Sequence, residues 1–233
     1  MLGIATGITN TSYQWQPNHV GADLKLWLRN GVGVAAAQWD DSSGNSNHVV
    51  QGTGGNQATV SGGGLEFDAS DDYYDITADI RVASEEACMI FIVMELDNVG
   101  NDTILGIDAT AEFVEFQTNK VIRIKIDGTT VQAAFSAATF TNNNKMVVGI
   151  QREEGGTGNL NIYKNGALLT PTSQVANSGA IDFKTIGSRG GGSPDRFFDG
   201  HIFELLVYDT TELTTGEIGK INNYLINKHT PLG

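Results

Sequence analysis

The sequence predicts an all-β protein, an antiparallel sandwich closed by one short C-terminal helix, and three observations carry that prediction. Short runs with apolar residues at every second position recur along the 233 residues, the period of a strand with one buried face. Glycine is abundant at 29 residues and proline scarce at 4, while Asn, Ser and Thr gather between the runs as the punctuation of tight turns. Only one segment, near the C-terminus, spaces its apolar residues at helical intervals.

In chain order, strands are expected at 24–28 (LKLWL), 65–67 (LEF), 87–95 (ACMIFIVME), 103–107 and 112–117. Further strands follow at 121–126 (VIRIKI), 145–151 (KMVVGIQ), 160–164 (LNIYK) and 200–208. In VIRIKI, alternation puts Val121, Arg123 and Lys125 on a wet face and Ile122, Ile124 and Ile126 on a buried one. The run CMIFIVM is apolar throughout, so it is expected at the centre of the core, covered on both faces. Asp127-Gly128 and Asn165-Gly166 supply the positive φ values of two-residue hairpins. Thr214-Thr215-Gly216-Glu217 reads as a capping box, followed by Ile218, Ile221, Tyr224 and Leu225 at helical spacing and by basic Lys220 and Lys228.

Composition excludes several functions. Apolar residues make up 40% and charged residues 18%, enough core material and too little charge for a disordered chain. With 14 basic against 27 acidic residues, the net charge of -13 repels a phosphate backbone, so nucleic acid is not an expected partner. Cys88 lies inside an apolar run and reads as a buried small hydrophobe. No stretch approaches the roughly 18 apolar residues of a membrane span, and the opening MLGIATGITNTSYQW lacks the basic and apolar regions of a signal peptide. A soluble chain made in the cytoplasm is the expectation. Residues 1–20 fall outside the strand pattern and read as an N-terminal arm, with one sandwich domain over 21–233.

Two segments carry a resemblance. The first is 23–51, DLKLWLRNGVGVAAAQWDDSSGNSNHVVQ, with its W-x-D-x-S-G-x-x-N-H turn. The second runs from LNIYKNG at 160–166 through Thr185-Ile186-Gly187 and FDGHIFELLVY at 198–208 to LTTGEIGKINNYLINK at 213–228. In order and spacing these resemble the concanavalin A-like, laminin G-like jelly rolls. The resemblance implies a concanavalin A-like antiparallel jelly-roll sandwich. Such domains occur in tailed-phage virion proteins, which implies a virion structural or decoration role beside other virion proteins or copies of this chain, assembled in the host cytoplasm. A free carbohydrate-binding, lectin-like module is the alternative it leaves open.

The same jelly roll is used by glycanases, which place acids on one strand face in an E-x-D-x-x-E string for nucleophile and acid/base work. Here the string is Glu95-Leu96-Asp97-Asn98-Val99-Gly100, so the last acid is missing and no enzyme is expected. Glu112 and Glu115 would sit on opposite strand faces and read as solvated acids. His19, His48, His201 and His229 are scattered without metal-ligand spacing, and the stretch 187–193 lacks the G-K-[ST] of a phosphate cradle.

No cofactor is expected, although calcium has two candidate oxygen-rich turns. One holds Asp40, Asp41, Asn45 and Asn47; the other holds Asp68, Asp71, Asp72 and Asp75. Tyr73, Tyr74 and Trp15 are candidate stacking platforms for a cell-surface glycan, whereas Trp27 and Trp39 read as core. Ile4, Ile8, Tyr13 and Trp15 place apolar groups in the arm and are candidate assembly contacts.

Overall fold

The computed structural model describes residues 15–20, 23–107, 112–190 and 194–233. A 3-10 turn at Pro17–His19 precedes β1 (Asp23–Leu28), β2 (Val34–Ala35), β3 (Gln38–Trp39), β4 (Val49–Val50), β5 (Thr59–Ser61) and β6 (Gly64–Asp68). The middle of the chain forms β7 (Tyr74–Val82), β8 (Ala87–Leu96), β9 (Asp102–Gly106), β10 (Phe113–Thr118), β11 (Val121–Ile126) and β12 (Thr129–Ala134). The last part adds β13 (Met146–Arg152), β14 (Leu160–Lys164), β15 (Ala167–Leu168), β16 (Ser173–Val175), β17 (Ile181–Ile186), β18 (Asp199–Thr210) and α1 (Thr215–His229).

These strands form two antiparallel sheets. The first has the order β15-β14-β13-β8-β18-β6-β5, with β1 also paired to β18. The second has the order β16-β12-β11-β10-β9-β17-β7-β4-β3-β2. The predicted all-β sandwich with one short helix is therefore what the chain adopts. Both predicted hairpins form, with φ of 45 and 75 at Asp127-Gly128 and 48 and 84 at Asn165-Gly166, the left-handed pair that a two-residue turn requires.

The fully apolar run of β8 has a direct explanation. Cys88, Ile90, Ile92, Met94 and Leu96 face the other sheet, in a core with Trp39, Phe67, Phe116 and Phe183. Met89, Phe91 and Val93 face the opposite way, where Ile218, Ile221 and Leu225 of α1 close a second core with Trp27 and Tyr208. Burying each aliphatic side chain of that helix contributes about 1.5–3 kcal/mol, far more than helix propensity over so short an element. The helix starts as its sequence predicts: the Glu217 amide donates to Thr214 Oγ1 at 3.3 Å, and the Thr214 amide donates to Glu217 Oε2 at 2.9 Å. At the other end of the chain, the Tyr208 hydroxyl donates to the Pro17 carbonyl at 3.0 Å, tying residues 15–20 to the helix-bearing sheet.

Candidate functional site

The helix-bearing side of the molecule holds a groove of about 520 Å³ lined by Trp15, Lys220, Asn223, Tyr224, Asn227 and Lys228. Its helical residues recur at i, i+3, i+4, i+7 and i+8, so they form one stripe along α1. Trp15 meets Tyr224 edge to face with ring centroids 6.2 Å apart, and Tyr224 meets the buried Trp27 at the same distance on its other side. Burial pushes the Tyr224 hydroxyl up to about 12, with the Glu204 charge adding to the effect, so it stays a neutral donor at physiological pH.

A buried carboxylate underlies this groove. Glu204 of β18 is 0% exposed. It accepts from Trp27 Nε1 at 2.8 Å, pairs with Lys228 Nζ at 2.7 Å, and lies 2.7 Å from His229 Nε2. Burial alone would push the Glu204 carboxyl up, but the bonds from His229, Lys228 and Trp27 outweigh it and hold it below the ordinary value. A β-bulge between Ile202 and Glu204 turns this residue to the helix side while Ile202, Leu205 and Val207 stay in the inter-sheet core. One acid thus anchors β1, β18 and the end of α1.

Sequence reasoning reached Trp15 but not the rest of this groove, because Tyr224 fits the apolar spacing of α1 and was absorbed into its core stripe. The other predicted platforms behave differently. Tyr74 is 0% exposed and its hydroxyl donates to the Ala36 carbonyl at 2.7 Å. It is a core residue and offers no face to a sugar, which corrects the expectation. Tyr73 is half-buried and lies outside the groove. Trp27 and Trp39 are buried as expected. Of the expected assembly contacts, Ile4, Ile8 and Tyr13 lie outside the described residues, and Trp15 is half-buried against Tyr224.

The two oxygen-rich turns also separate. Asp41 is engaged by protein donors: Oδ1 accepts from the Trp27 and Ser43 amides at 2.9 and 2.8 Å, and Oδ2 accepts from Ser43 Oγ and the Asn47 amide at 2.7 and 3.0 Å. Asn45 points its amide nitrogen at the Leu24 carbonyl, 2.7 Å away, and Asp40 accepts from Gln38 at 2.6 Å. This turn is knitted to β1 rather than opened toward an ion. In the second turn, carboxylate oxygens of Asp68, Asp71 and Asp72 lie within 4.8 Å of one another, whereas Asp75 belongs to β7. Asp68 and Asp72 face a pocket of about 490 Å³ that also receives Glu66, Asp97 and Asp199.

Burial, reinforced by the charges of Asp68 and Asp71, pushes Asp72 up to about 6. Burial does the same to Asp102, against the opposing hydrogen bonds from the Gly100 and Asp199 amides. Between the unfolded value near 3.8 and about 6, the folded protein holds protons that the unfolded chain has released, so stability falls as pH rises through that window. The expected result is a higher melting temperature at pH 5 than at pH 8, a gain reduced in Asp72→Asn and Asp102→Asn because neither amide titrates. A pH response identical in both variants and wild type would refute this assignment.

On the outer face of the second sheet, Glu115 corrects another expectation. Instead of a solvated acid it is 0% exposed, paired with Arg123 across the β10–β11 register and with Arg196 Nη1 at 2.8 Å. Guanidinium carbons of Arg123, Arg189 and Arg196 surround the Phe113 ring at 5.5, 5.4 and 5.7 Å. Glu112 lies just before β10 and accepts from the Asp182 amide at 2.5 Å. The stretch that would carry a glycanase acid pair leaves the sheet: β8 ends at Leu96, so Asp97 and Gly100 lie beyond the strand. Cys88 is buried and its thiol is pushed up to about 12 by burial, so it carries no nucleophile.

No protein family and no curated protein matches the chain in sequence. Solved structures do match in fold. The binding domain of Paraclostridial Mosquitocidal Protein 1 is 16% identical, with a TM-score of 0.61 over 91% of this chain and 54% of that one. A Trypanosoma rangeli sialidase complexed with 2,3-difluorosialic acid is 13% identical, with a TM-score of 0.56 over 89% of this chain and 34% of that one. Botulinum neurotoxin type C, which depends on interaction with two ganglioside molecules to get into cells, is 17% identical, with a TM-score of 0.53 over 87% of this chain and 51% of that one. This chain therefore spans about half of the toxin domains and a third of the sialidase. At these identities the shared property is the fold, an antiparallel two-sheet β-sandwich of jelly-roll type.

Proposed function

We propose that this chain is a non-catalytic carbohydrate-binding module whose sugar site is the groove between Trp15 and α1. The composition of that groove carries the reading. Two aromatic rings supply apolar faces for a pyranose ring, Asn223 and Asn227 supply exposed amide donors and acceptors for hydroxyls, and the volume falls within the range of small-ligand sites. Neighbours of the same fold include a toxin that interacts with gangliosides and a sialidase with a bound sialic acid analogue, which supports a glycan as the ligand class.

The proposal extends to setting. The segments 23–51 and 160–228 resemble jelly rolls of tailed-phage virion proteins, and we place this module on the surface of such a particle, assembled in the host cytoplasm beside other virion proteins or its own copies, with the groove contacting host glycans. Mass spectrometry of purified particles from an infected host checks this setting.

A glycan array probed with the labelled full chain tests the binding function. Trp15→Ala is expected to weaken the bound signal roughly tenfold, the scale of losing one aromatic contact, while β-glucans incubated with the wild-type protein release no reducing sugar. An array on which the wild-type chain binds nothing, or on which Trp15→Ala binds as well as wild type, would remove the groove from consideration.

A further inference from the structure

We infer that the groove between Trp15 and α1 selects an acidic saccharide, one bearing a carboxylate, over its neutral counterpart; this rests on the carbohydrate-binding reading and adds the charge of the ligand. The chain is formally -13, yet the groove lining contains two lysines and neither Asp nor Glu. Lys228 is committed to Glu204 at 2.7 Å and sits 5.7 Å from the Tyr224 ring centroid. Lys220 is exposed and has no ion-pair partner among the described residues, so its charge is available to a ligand.

The surroundings reinforce that charge. The Arg29 guanidinium lies 5.1 Å over the Trp27 ring, and its charge acts on the Tyr224 hydroxyl, which adds a second cation behind the groove. The acids nearby are spent. Glu217, one turn before Lys220, bonds Thr214 in the capping box, and Glu204 is buried among Trp27, Lys228 and His229. Lys220, Asn223 and Asn227 occupy successive turns of α1, about 4.5 and about 6 Å apart along the axis, which is close to the width of one sugar ring. A carboxylate on Lys220 Nζ therefore leaves hydroxyls in reach of Asn223 and Asn227 and a ring face toward Trp15 and Tyr224. An ammonium–carboxylate bond is charge-assisted and stronger than the neutral bond a hydroxyl would make there.

Two-dimensional ¹H–¹⁵N NMR titration of the full chain decides the matter, using sialyllactose against lactose and trigalacturonate against its methyl ester. Each pair differs in charge, and the second pair differs in little else. The acidic members are expected to shift the Trp15 indole and the Asn223 and Asn227 side-chain amides, with the neutral members about tenfold weaker. Lys220→Gln is expected to remove that preference, to leave the melting temperature unchanged, and to abolish the weakening by added salt that an exposed charge pair shows. If neutral and acidic members bind the groove equally and Lys220→Gln changes neither, the charge inference falls while carbohydrate binding stands. If no saccharide shifts the groove resonances, both fall.

Discussion

Glu204→Ala is expected to cost about 3–5 kcal/mol of stability, which for a chain of this length lowers the melting temperature by roughly 10 °C. The size follows from what the substitution leaves behind. The Trp27 indole N–H, the Lys228 ammonium and the His229 imidazole all lose their acceptor, and two of those three residues are themselves buried. Removing one partner of a buried network costs the desolvation of the others, which exceeds the net worth of the pairs in the intact protein. Glu204→Gln keeps an acceptor for Trp27 and the side-chain volume but loses the charge, so its loss should be intermediate. Because the Glu204 carboxyl is held below its ordinary value of 4.5, its stabilisation is present above that pH and lost as pH falls through the lower folded value. Urea unfolding monitored by tryptophan fluorescence measures all three states. A loss under about 1 kcal/mol for Glu204→Ala would show that the helix is held by its apolar face alone.

The consequence reaches the groove, since Lys228 pairs with that carboxylate and Tyr224 packs against Trp27, whose indole the carboxylate holds. Glu204→Ala should therefore weaken glycan binding even where the protein remains folded, an effect that Lys220→Gln separates from the direct contribution of charge.

The parts of this structure that were legible in sequence are those decided by local chemistry. Alternation in VIRIKI, the unbroken run in β8, the two hairpin dipeptides and the capping box each describe a preference that neighbours in sequence satisfy among themselves. Strand β7 escaped although its period of two is intact: Tyr74, Ile76, Ile80 and Val82 are buried between Asp75, Thr77, Asp79 and Arg81, and the apolar face is interrupted only at the exposed Ala78, while the β17 register against it shifts between Phe183 and Thr185. The buried acids escaped for a different reason. Glu204 meets its indole partner across 177 positions and Glu115 meets Arg196 across 81, and nothing near either glutamate in sequence announces that a cation or donor will arrive. The groove combines both difficulties, since Trp15 stands in a segment without pattern and its helical half also fits the spacing of a core stripe. Resemblance of the W-x-D-x-S-G-x-x-N-H turn to a known jelly roll carried the fold further than any single periodicity.

That turn supplies the second large effect. Asp41→Ala is expected to destabilise the chain by about 2–4 kcal/mol, because hydrogen bonds to a charged acceptor contribute roughly 1.5–3 kcal/mol each before relaxation and Asp41 accepts four. Those bonds join the turn to itself through Ser43 and Asn47 and to β1 through the Trp27 amide, next to the indole that Glu204 holds. Losing them frees the Asn45 and Asn47 side chains that bond the Leu24 and Lys25 carbonyls at 2.7 and 2.8 Å. Asp41→Asn retains one strong acceptor and should lose about half as much. The same measurement separates a structural turn from a calcium site. Both Asp41 oxygens already face N–H and O–H donors, and a cation would have to displace donors whose hydrogens point at those lone pairs. The loss on Asp41→Ala should therefore be equal in calcium and in chelator. A loss that appears with calcium and vanishes with chelator would mean that the donors rearrange and that this turn holds an ion after all.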